Sequence, residues 1–280
     1  MAALRWATLL GCGGTALRYT LLNVQKPIMS GEVGAIAPAT IVQDERDHSA
    51  ADILEQAAAI VRASGIPVEV EEQMDDAASA IIARAEALGC DAIVVGRRGL
   101  GVVRAALLGS VSTEVVRRSR IPVIIVSAAT TETSALPLRM MLAVDNSESA
   151  TRATTFAANL ASLCKLDVHL LNVEPGMTVA GAVFGRREKI IEHWSGKQAH
   201  EALAGTRDML DQAGVKYNEH VASGNETHSA ILHAARQGGC NIIVMGTRGL
   251  GPISGVLLGS VTRKLLEEAP ASVSAVVLVH

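Results

Sequence analysis

The sequence is poor in aromatic residues and nearly balanced in charge. Its 280 residues include two Trp, two Tyr and two Phe, and the formal net charge is −3. Proteins that bind nucleic acids usually have a basic surface and often stack bases on aromatic rings, so this class is disfavoured. At 49% hydrophobic residues the chain is also too apolar to be disordered. We therefore expect a folded protein whose core consists of Val, Ile, Leu and Ala side chains.

Cysteines and long apolar runs are also scarce. Four cysteines in 280 residues cannot form a disulfide framework, and the absence of a C-x-x-C pair or a Cys/His cluster argues against a metal site. Charged residues interrupt every long apolar run before it reaches the roughly 18 residues of a membrane span. Residues 1–12 loosely resemble a lipoprotein signal ending at Cys12, but an internal repeat accounts for the same residues better. The sequence predicts a cytoplasmic protein.

That repeat has a period of about 150 residues. Residues 96–112 (GRRGLGVVRAALLGSVS) recur as residues 246–262 (GTRGLGPISGVLLGSVT), with ten of the 17 positions identical. Leu21–Val24 returns in the same way as Leu170–Val173. A period this long indicates a duplicated domain, because solenoid repeats have about 20–50 residues. We place the two domains at residues 1–127 and 138–280, joined by a polar linker (127–137).

Within each repeat, apolar runs alternate with helical patterns. The predicted strands of the second repeat are Met140–Val144, Asp167–Val173, Tyr217–Val221, Ile242–Met245 and Ala275–Val279. The predicted helices between them are Ser149–Leu163, 188–213, Glu226–Gln237 and Ser260–Glu268. Strands that are apolar throughout and separated by helices are typical of a parallel sheet buried on both faces. We therefore predict an α/β protein of two tandem doubly wound, Rossmann-like domains, each with a five-stranded parallel sheet of order 3-2-1-4-5.

The first repeat lacks its strand 1, because residues 1–10 align with the helix at residues 150–159. In this strand order strand 1 is central, and its loss leaves two rows of unpaired backbone groups. Three explanations are open. The protein starts upstream of residue 1, which we favour, or residues 2–10 form a strand, or strands 2 and 4 pair directly.

A glycine pattern, G-x2-G-x9-G-S, follows strand 4 in both repeats. Its residues are Gly96, Gly99, Gly109 and Ser110 in the first repeat and Gly246, Gly249, Gly259 and Ser260 in the second. Glycine after a strand permits a sharp turn and the close approach of a ligand. The Gly-Ser pair opens a helix whose free N–H groups attract anions, and Ser260 can cap this helix or donate to a phosphate. The alternative is that the glycines only shape turns.

With these motifs the chain resembles a tandem universal stress protein of the ATP-binding type over nearly its whole length. The resemblance implies that Asp145 contacts the ribose or adenine and that the Val173 backbone reads the adenine edge. It also implies that the phosphates are held by Gly246, Gly249, Gly259, Ser260, Val261 and Thr262. The implied ligand is ATP, with or without Mg²⁺, or another adenine nucleotide. The first repeat has no counterpart of Asp145, so its own glycine set is expected to bind weakly or not at all.

Other candidate residues have two interpretations. Arg248 and Arg98 stand between the first two glycines of each pattern, where they either pair with a phosphate or are solvated. Asp145 either contacts the ligand or caps the following helix, a role for which Ser147 competes.

Histidines and cysteines are predicted to be structural. His228 and His233 lie five residues apart on a helix and do not share a face, so we expect surface histidines. We expect Cys90 and Cys240 to act as small buried hydrophobic residues.

No catalytic motif is present, so we expect a binding protein and not an enzyme. The leading hypothesis is an ATP-binding stress-response protein that acts through conformation or partners. The alternative is an interaction or scaffold module that binds no nucleotide. The fifth strands, Val123–Val126 and Val276–Val279, are apolar edges. The resemblance implies that they associate into an intramolecular pseudo-dimer, and it leaves a homodimer open.

Overall fold

The computed structural model describes residues 2–11, 17–26, 39–97, 108–127, 137–175, 203–247, 259–270 and 272–280. The helices in these ranges are α1 (Ala2–Gly11), α2 (Ala39–Ala63), α3 (Ala77–Ala87), α4 (Ser110–Arg118), α5 (Glu148–Cys164), α6 (203–212), α7 (Thr227–Gln237) and α8 (Ser260–Glu268). The strands are β1 (Tyr19–Gln25), β2 (Val68–Met74), β3 (Ile93–Gly96), β4 (Val123–Val126), β5 (Arg139–Val144), β6 (Asp167–Pro175), β7 (Tyr217–Gly224), β8 (Ile242–Gly246) and β9 (Ala275–Val279). Most of the predicted linker and the first part of the helix predicted at 188–213 lie outside the described residues.

Seven of these strands form one sheet in the order β3-β4-β9-β8-β5-β6-β7, and β1 pairs with β2 in a separate sheet. All neighbouring strands are parallel except β4 and β9. Within the second repeat the order β7-β6-β5-β8-β9 is the predicted 3-2-1-4-5. The fifth strands of the two repeats, β4 and β9, are neighbours, so one sheet runs through both repeats.

The fifth strands join the two repeats, as predicted. β4 lies antiparallel to β9, with Ile124 opposite Val277. These two residues are repeat equivalents, since Ile124 lies opposite Val94 in β3 and Val277 lies opposite Val244 in β8. A residue that faces its own equivalent lies on a local two-fold axis. The pairing therefore relates the two fifth strands by the predicted pseudo-two-fold symmetry.

Helices cover both faces of the seven-stranded sheet. One hydrophobic cluster contains residues of α1, α5 and α6 packed on the sheet, including Trp6 and Leu10 together with Met140 and Leu142. The other cluster contains residues of α3, α4, α7 and α8. Helix α1 belongs to the first repeat, yet it packs into a core shared with the second. Within the described ranges, no helix combines the length and apolar character that crossing a membrane requires.

The described part of the first repeat contains no strand 1, as predicted. Residues 2–11 form helix α1, so the suggestion that residues 2–10 form a strand is wrong. The suggestion that strands 2 and 4 pair directly is also wrong, because β1 and β3 belong to different sheets. The first repeat is therefore split between a two-stranded sheet and the end of the seven-stranded sheet.

Trp6 connects α1 to the second repeat. Its side chain is fully buried, and its indole N–H donates a hydrogen bond to Ser274 Oγ at 3.1 Å. Ser274 Oγ in turn donates to the carbonyl of Asn241 at 2.9 Å. The Asn241 side chain accepts from the Arg139 N–H at 3.0 Å and donates to the Pro137 carbonyl at 3.1 Å. This buried polar chain ties α1 to the amino ends of β5, β8 and β9.

We expect Trp6→Ala to lower the free energy of unfolding by about 3–5 kcal/mol, because it leaves a large cavity in the shared core. Trp6→Phe retains most of the apolar contact but removes the hydrogen bond to Ser274 Oγ, so a loss of about 1–2 kcal/mol is expected. Urea denaturation followed by circular dichroism measures both. Equal losses for the two variants would contradict the shared core.

Candidate functional site

Two of the predicted site residues, Asp145 and Val173, lie side by side at the carboxyl edge of the sheet. β5 lies between β6 and β8, with Val144 opposite Asn172 and Ala143 opposite Met245. Continued to Asp145, one residue beyond Val144 and two beyond Ala143, these registers place Asp145 between Val173 and Thr247. Neighbouring strands are about 4.8 Å apart, so these residues form a contiguous row. This is the edge of an open α/β sheet at which ligands generally bind.

The amino end of α8 is attached to the same row. The Gly259 N–H donates to the Thr247 carbonyl at 3.2 Å, and the first bond within the helix runs from the Arg263 N–H to the Gly259 carbonyl at 3.0 Å. The N–H groups of Ser260, Val261 and Thr262 therefore have no acceptor within the helix. Gly259 is the N-cap, and no side chain caps this end. Ser260 is the first helical residue and exposed, so of its two alternatives the capping role is wrong.

Asp145 does not cap α5. That role belongs to Ser147, whose side chain accepts a hydrogen bond from the Ala150 N–H at 3.2 Å. Asp145 Oδ1 accepts from the Ser147 N–H at 3.2 Å, which holds the half-buried carboxylate in a turn at the end of β5. The left-handed Asn146 (φ 63°) forms part of this turn. Of the two interpretations of Asp145, the capping one is therefore wrong.

Gly246 allows a helix to approach the sheet. A Cβ atom at this position would lie 2.3 Å from Ser149 Oγ and 3.0 Å from the Ser149 carbonyl carbon. At Gly259 a Cβ would lie 3.0 Å from the Thr247 carbonyl oxygen. The structural interpretation of the glycines therefore accounts for both positions without a ligand. Their contact with a nucleotide stays a prediction.

Thr247 is a residue of this row that the sequence analysis missed. It is buried, and its hydroxyl lies 3.2 Å from His280 Nδ1 and 3.4 Å from the Val279 carbonyl oxygen. The repeat offered a signal for this position, because the two copies carry different residues there. The equivalent of Thr247 in the first repeat is Arg97. The Arg97 guanidinium donates to the carbonyls of Leu266 and Glu267, at the carboxyl end of α8. A cation at that end of a helix is favourable, so this position carries a contact between repeats in one copy and a site residue in the other.

The first repeat retains the turn before its helix α4, but it has no row of residues equivalent to Val173, Asp145 and Thr247. The Gly109 N–H donates to the Arg97 carbonyl at 2.9 Å, as Gly259 does to Thr247, and Ser112 Oγ donates to the Gly96 carbonyl at 2.7 Å. Ser110 begins α4 as Ser260 begins α8. However, β1 lies in another sheet, so Val24 is not placed beside Gly96 as Val173 is placed beside Asp145. The four residues Arg98, Gly99, Arg248 and Gly249 lie outside the described residues, and their predicted contacts stay predictions.

A model of the universal stress protein family matches residues 2–127 and 138–276. The chain belongs to this family. A universal stress protein of Mycolicibacterium smegmatis is 27% identical over 98% of this chain and 92% of its own length. The solved structure of a universal stress protein from Archaeoglobus fulgidus has a TM-score of 0.66, at 22% identity over 99% of this chain and 91% of that one. Another solved universal stress protein, in complex with cAMP, covers 51% of this chain with a TM-score of 0.40 and 21% identity.

His228 corrects the prediction of surface histidines on α7. Its side chain is buried, and Nε2 lies 3.2 Å from Glu268 Oε1 on α8, so the ring fills the contact between these helices. His233 is exposed, as predicted. Cys240 is buried and Cys90 half-buried. Burial raises the pKa of the Cys240 thiol to about 11, which keeps it protonated and unreactive.

A cavity of about 640 Å³ lies along α7, over β6 and β7. Its lining includes His169 and His220, whose Nδ1 and Nε2 atoms share a hydrogen bond of 2.9 Å. Burial, with the neighbouring His220, lowers the pKa of His169 and so favours its neutral ring. A hydrogen bond between two imidazole nitrogens needs one neutral ring as the acceptor. Asp145, Gly246 and Gly259 are not among the lining residues. In the part of the chain that the structure describes, no three His, Cys, Asp or Glu side chains could hold a metal ion.

We expect Gly246→Ala to destabilise the protein by about 1–3 kcal/mol, because its methyl group would collide with Ser149. Adding Ser149→Gly removes the two nearest colliding atoms but not the carbonyl carbon. The double variant should therefore recover part of the loss relative to the sum of the single changes. Thermal or urea denaturation of the four proteins measures this coupling. Strict additivity would show that Gly246 has no role in the packing of α5.

Proposed function

We propose that the second repeat binds an adenine nucleotide, ATP first, at the carboxyl edge of its sheet. The observation that carries the proposal is the hydrogen bond from the Gly259 N–H to the Thr247 carbonyl. It holds the amino end of α8 against β8, one strand away from Asp145. Donor groups for phosphate and a carboxylate acceptor for hydroxyl groups thus lie within one small region.

Each part of this region suits one part of the nucleotide. The N–H groups of Ser260, Val261 and Thr262, together with the positive end of the helix dipole, would bind the phosphates. The Asp145 carboxylate accepts hydrogen bonds only, so ribose hydroxyl groups are its natural partners. Family membership supports placing the adenine beside Val173. The proposed ligand is ATP, either alone or with Mg²⁺.

The first repeat is proposed to bind nucleotide weakly or not at all. It has the turn at Gly109 and the uncapped amino end of α4, but no described carboxylate beside β3 takes the place of Asp145. The chain is proposed to act in the cytoplasm, which suits the cysteines of the described residues, because all three are free.

A second candidate function is an interaction module without nucleotide. The packing of Ser149 against Gly246 favours it, because that glycine is then explained by the fold alone. Mass spectrometry of small molecules released from the denatured protein separates the two candidates. Nucleotide recovered in near-stoichiometric amount supports the proposal, whereas protein purified without nucleotide that also fails to bind added ATP supports the interaction module.

We expect Gly259→Val to weaken ATP binding at least about tenfold, a change of about 1.4 kcal/mol. The branched side chain would press on the Thr247 carbonyl and move the amino end of α8. The matched control is Gly109→Val, the same change at the equivalent position of the first repeat. Equilibrium titration with labelled ATP measures both, and circular dichroism confirms folding. Unchanged affinity in Gly259→Val, or an equal loss in Gly109→Val, would rule out this site.

We also propose that the protein binds ATP without hydrolysing it at a useful rate. In the described site no general base is paired with a nucleophile. Phosphate release from ATP and Mg²⁺ should therefore stay at the background level of the buffer over hours. Release above background that Asp145→Asn abolishes would show that the site is catalytic.

A further inference from the structure

The cavity along α7 includes a position that carries an arginine in the first repeat. Residues 231–240 (ILHAARQGGC) are the equivalents of residues 81–90 (IIARAEALGC), with four of the ten positions identical. Ala234 therefore takes the place of Arg84. Ala234 lines the cavity, and its methyl group fills much less volume than an arginine side chain.

In the first repeat that arginine is paired with a carboxylate. Nε and Nη2 of Arg84 donate to the two carboxylate oxygens of Glu71 on β2. Strand β7 pairs with β6 in the register in which β2 pairs with β1, so the equivalent of Glu71 is His220. His220 also lines the cavity. Both members of the ion pair are replaced in the second repeat, and the cavity lies at their place.

One end of the cavity carries a pair of imidazole rings. Nδ1 of His169 and Nε2 of His220 share a hydrogen bond of 2.9 Å, and the rings are parallel. Gly238 admits the first ring, because a Cβ there would lie 2.9 Å from Nδ1, whereas the first repeat has Leu88 at this position. The Cys240 thiol borders the same position and stays uncharged, because its pKa is raised to about 11.

The carboxylates near the imidazole pair are compensated. Arg139 and Asp167 are the oppositely charged side chains that act on His169, and they lie 3.6 Å apart as an ion pair. Glu226 is the carboxylate of the described lining and lies at the other end of α7, about 18 Å away along the helix axis. Its Oε1 lies 3.8 Å from Lys264 Nζ. An anion at the imidazole pair is therefore not opposed by these groups.

The lining along α7 is mainly apolar where it is buried. Leu171 is buried, and Ala222, Ala230 and Ala234 are half-buried. The polar residues of the described lining outside the imidazole pair are all exposed, namely Ser223, Glu226, Ser229, His233 and Gln237. The cavity thus combines an apolar wall along the helix with two imidazole rings at one end.

We propose that this cavity binds a medium-chain aliphatic carboxylate, with its head group at His169 and His220 and its chain along α7. Its volume of about 640 Å³ is in the ordinary range for small-molecule sites. When the imidazole pair takes up one proton, both outer ring nitrogens become donors, and the single positive charge matches a carboxylate. The chain would gain by burial against the apolar wall. Asp145 and Gly259 are not in the lining, so this site is separate from the proposed nucleotide site.

The probe is octanoate, with octanamide as its neutral counterpart, titrated into the full chain by isothermal titration calorimetry. Saturable binding of octanoate is expected, with octanamide at least about tenfold weaker because it carries no charge. The matched control protein is Ala234→Arg with His220→Glu, which gives the second repeat the ion pair of the first. It should fold, because the first repeat accommodates the same pair, and it should lose octanoate binding. Absence of octanoate binding, equal binding of octanamide or unchanged binding by this control overturns the proposal.

The dependence of octanoate binding on pH tests the role of the imidazole pair. Burial lowers the pKa of His169, so the pair is neutral before the anion binds, and binding should take up a proton. The affinity for octanoate should therefore rise as the pH is lowered from about 8 to about 6, where octanoate is still ionised. His233→Gln, which changes the exposed histidine of the lining, should keep this dependence, and His169→Gln should remove it. An affinity that is constant with pH, or a dependence that His233→Gln alone removes, contradicts the proposal.

Discussion

The antiparallel pairing of β4 with β9 is the interaction on which the rest of the structure depends. It places the two repeats back to back and covers two apolar edges that would otherwise be open to aggregation. All residues of both strands are buried. Because the sheet is continuous, α1 can pack on the core of the second repeat and Arg97 can reach α8. The first repeat therefore depends on the second for part of its core.

Much of this fold could be predicted from the sequence, because the repeat showed the same order of elements twice. Buried parallel strands separated by helices admit few topologies, so the strand order of the second repeat followed. Contacts between elements could not be predicted in the same way. The cap by Ser147, the packing of Ser149 on Gly246 and the burial of His228 depend on how closely helices approach, which no periodicity encodes. The glycine pattern was therefore correctly located in the fold. At Gly246, however, the close packing of Ser149 is enough to explain why the residue is glycine.

The two repeats differ in structure at the candidate site. In the second repeat the central strand β5 carries Asp145 into line with Thr247 and α8. In the first repeat no described strand occupies that place, and Arg97 stands where the second repeat has Thr247. A guanidinium bound to the end of α8 contributes to the contact between repeats. The same sequence position thus supports assembly in one copy and the candidate site in the other.

The amino ends of α5 and α8 lie at the carboxyl ends of β5 and β8. They differ in which groups accept hydrogen bonds from their first N–H groups. At α5 the Ser147 side chain caps the helix, and the Asp145 carboxylate accepts the Ser147 N–H. At α8 the cap is a glycine that offers no side chain. An anion would gain little at α5, where a carboxylate already lies nearby and a cap is in place. It would gain most at α8, so a phosphate of the proposed nucleotide would lie near Ser260 and away from the Asp145 carboxylate.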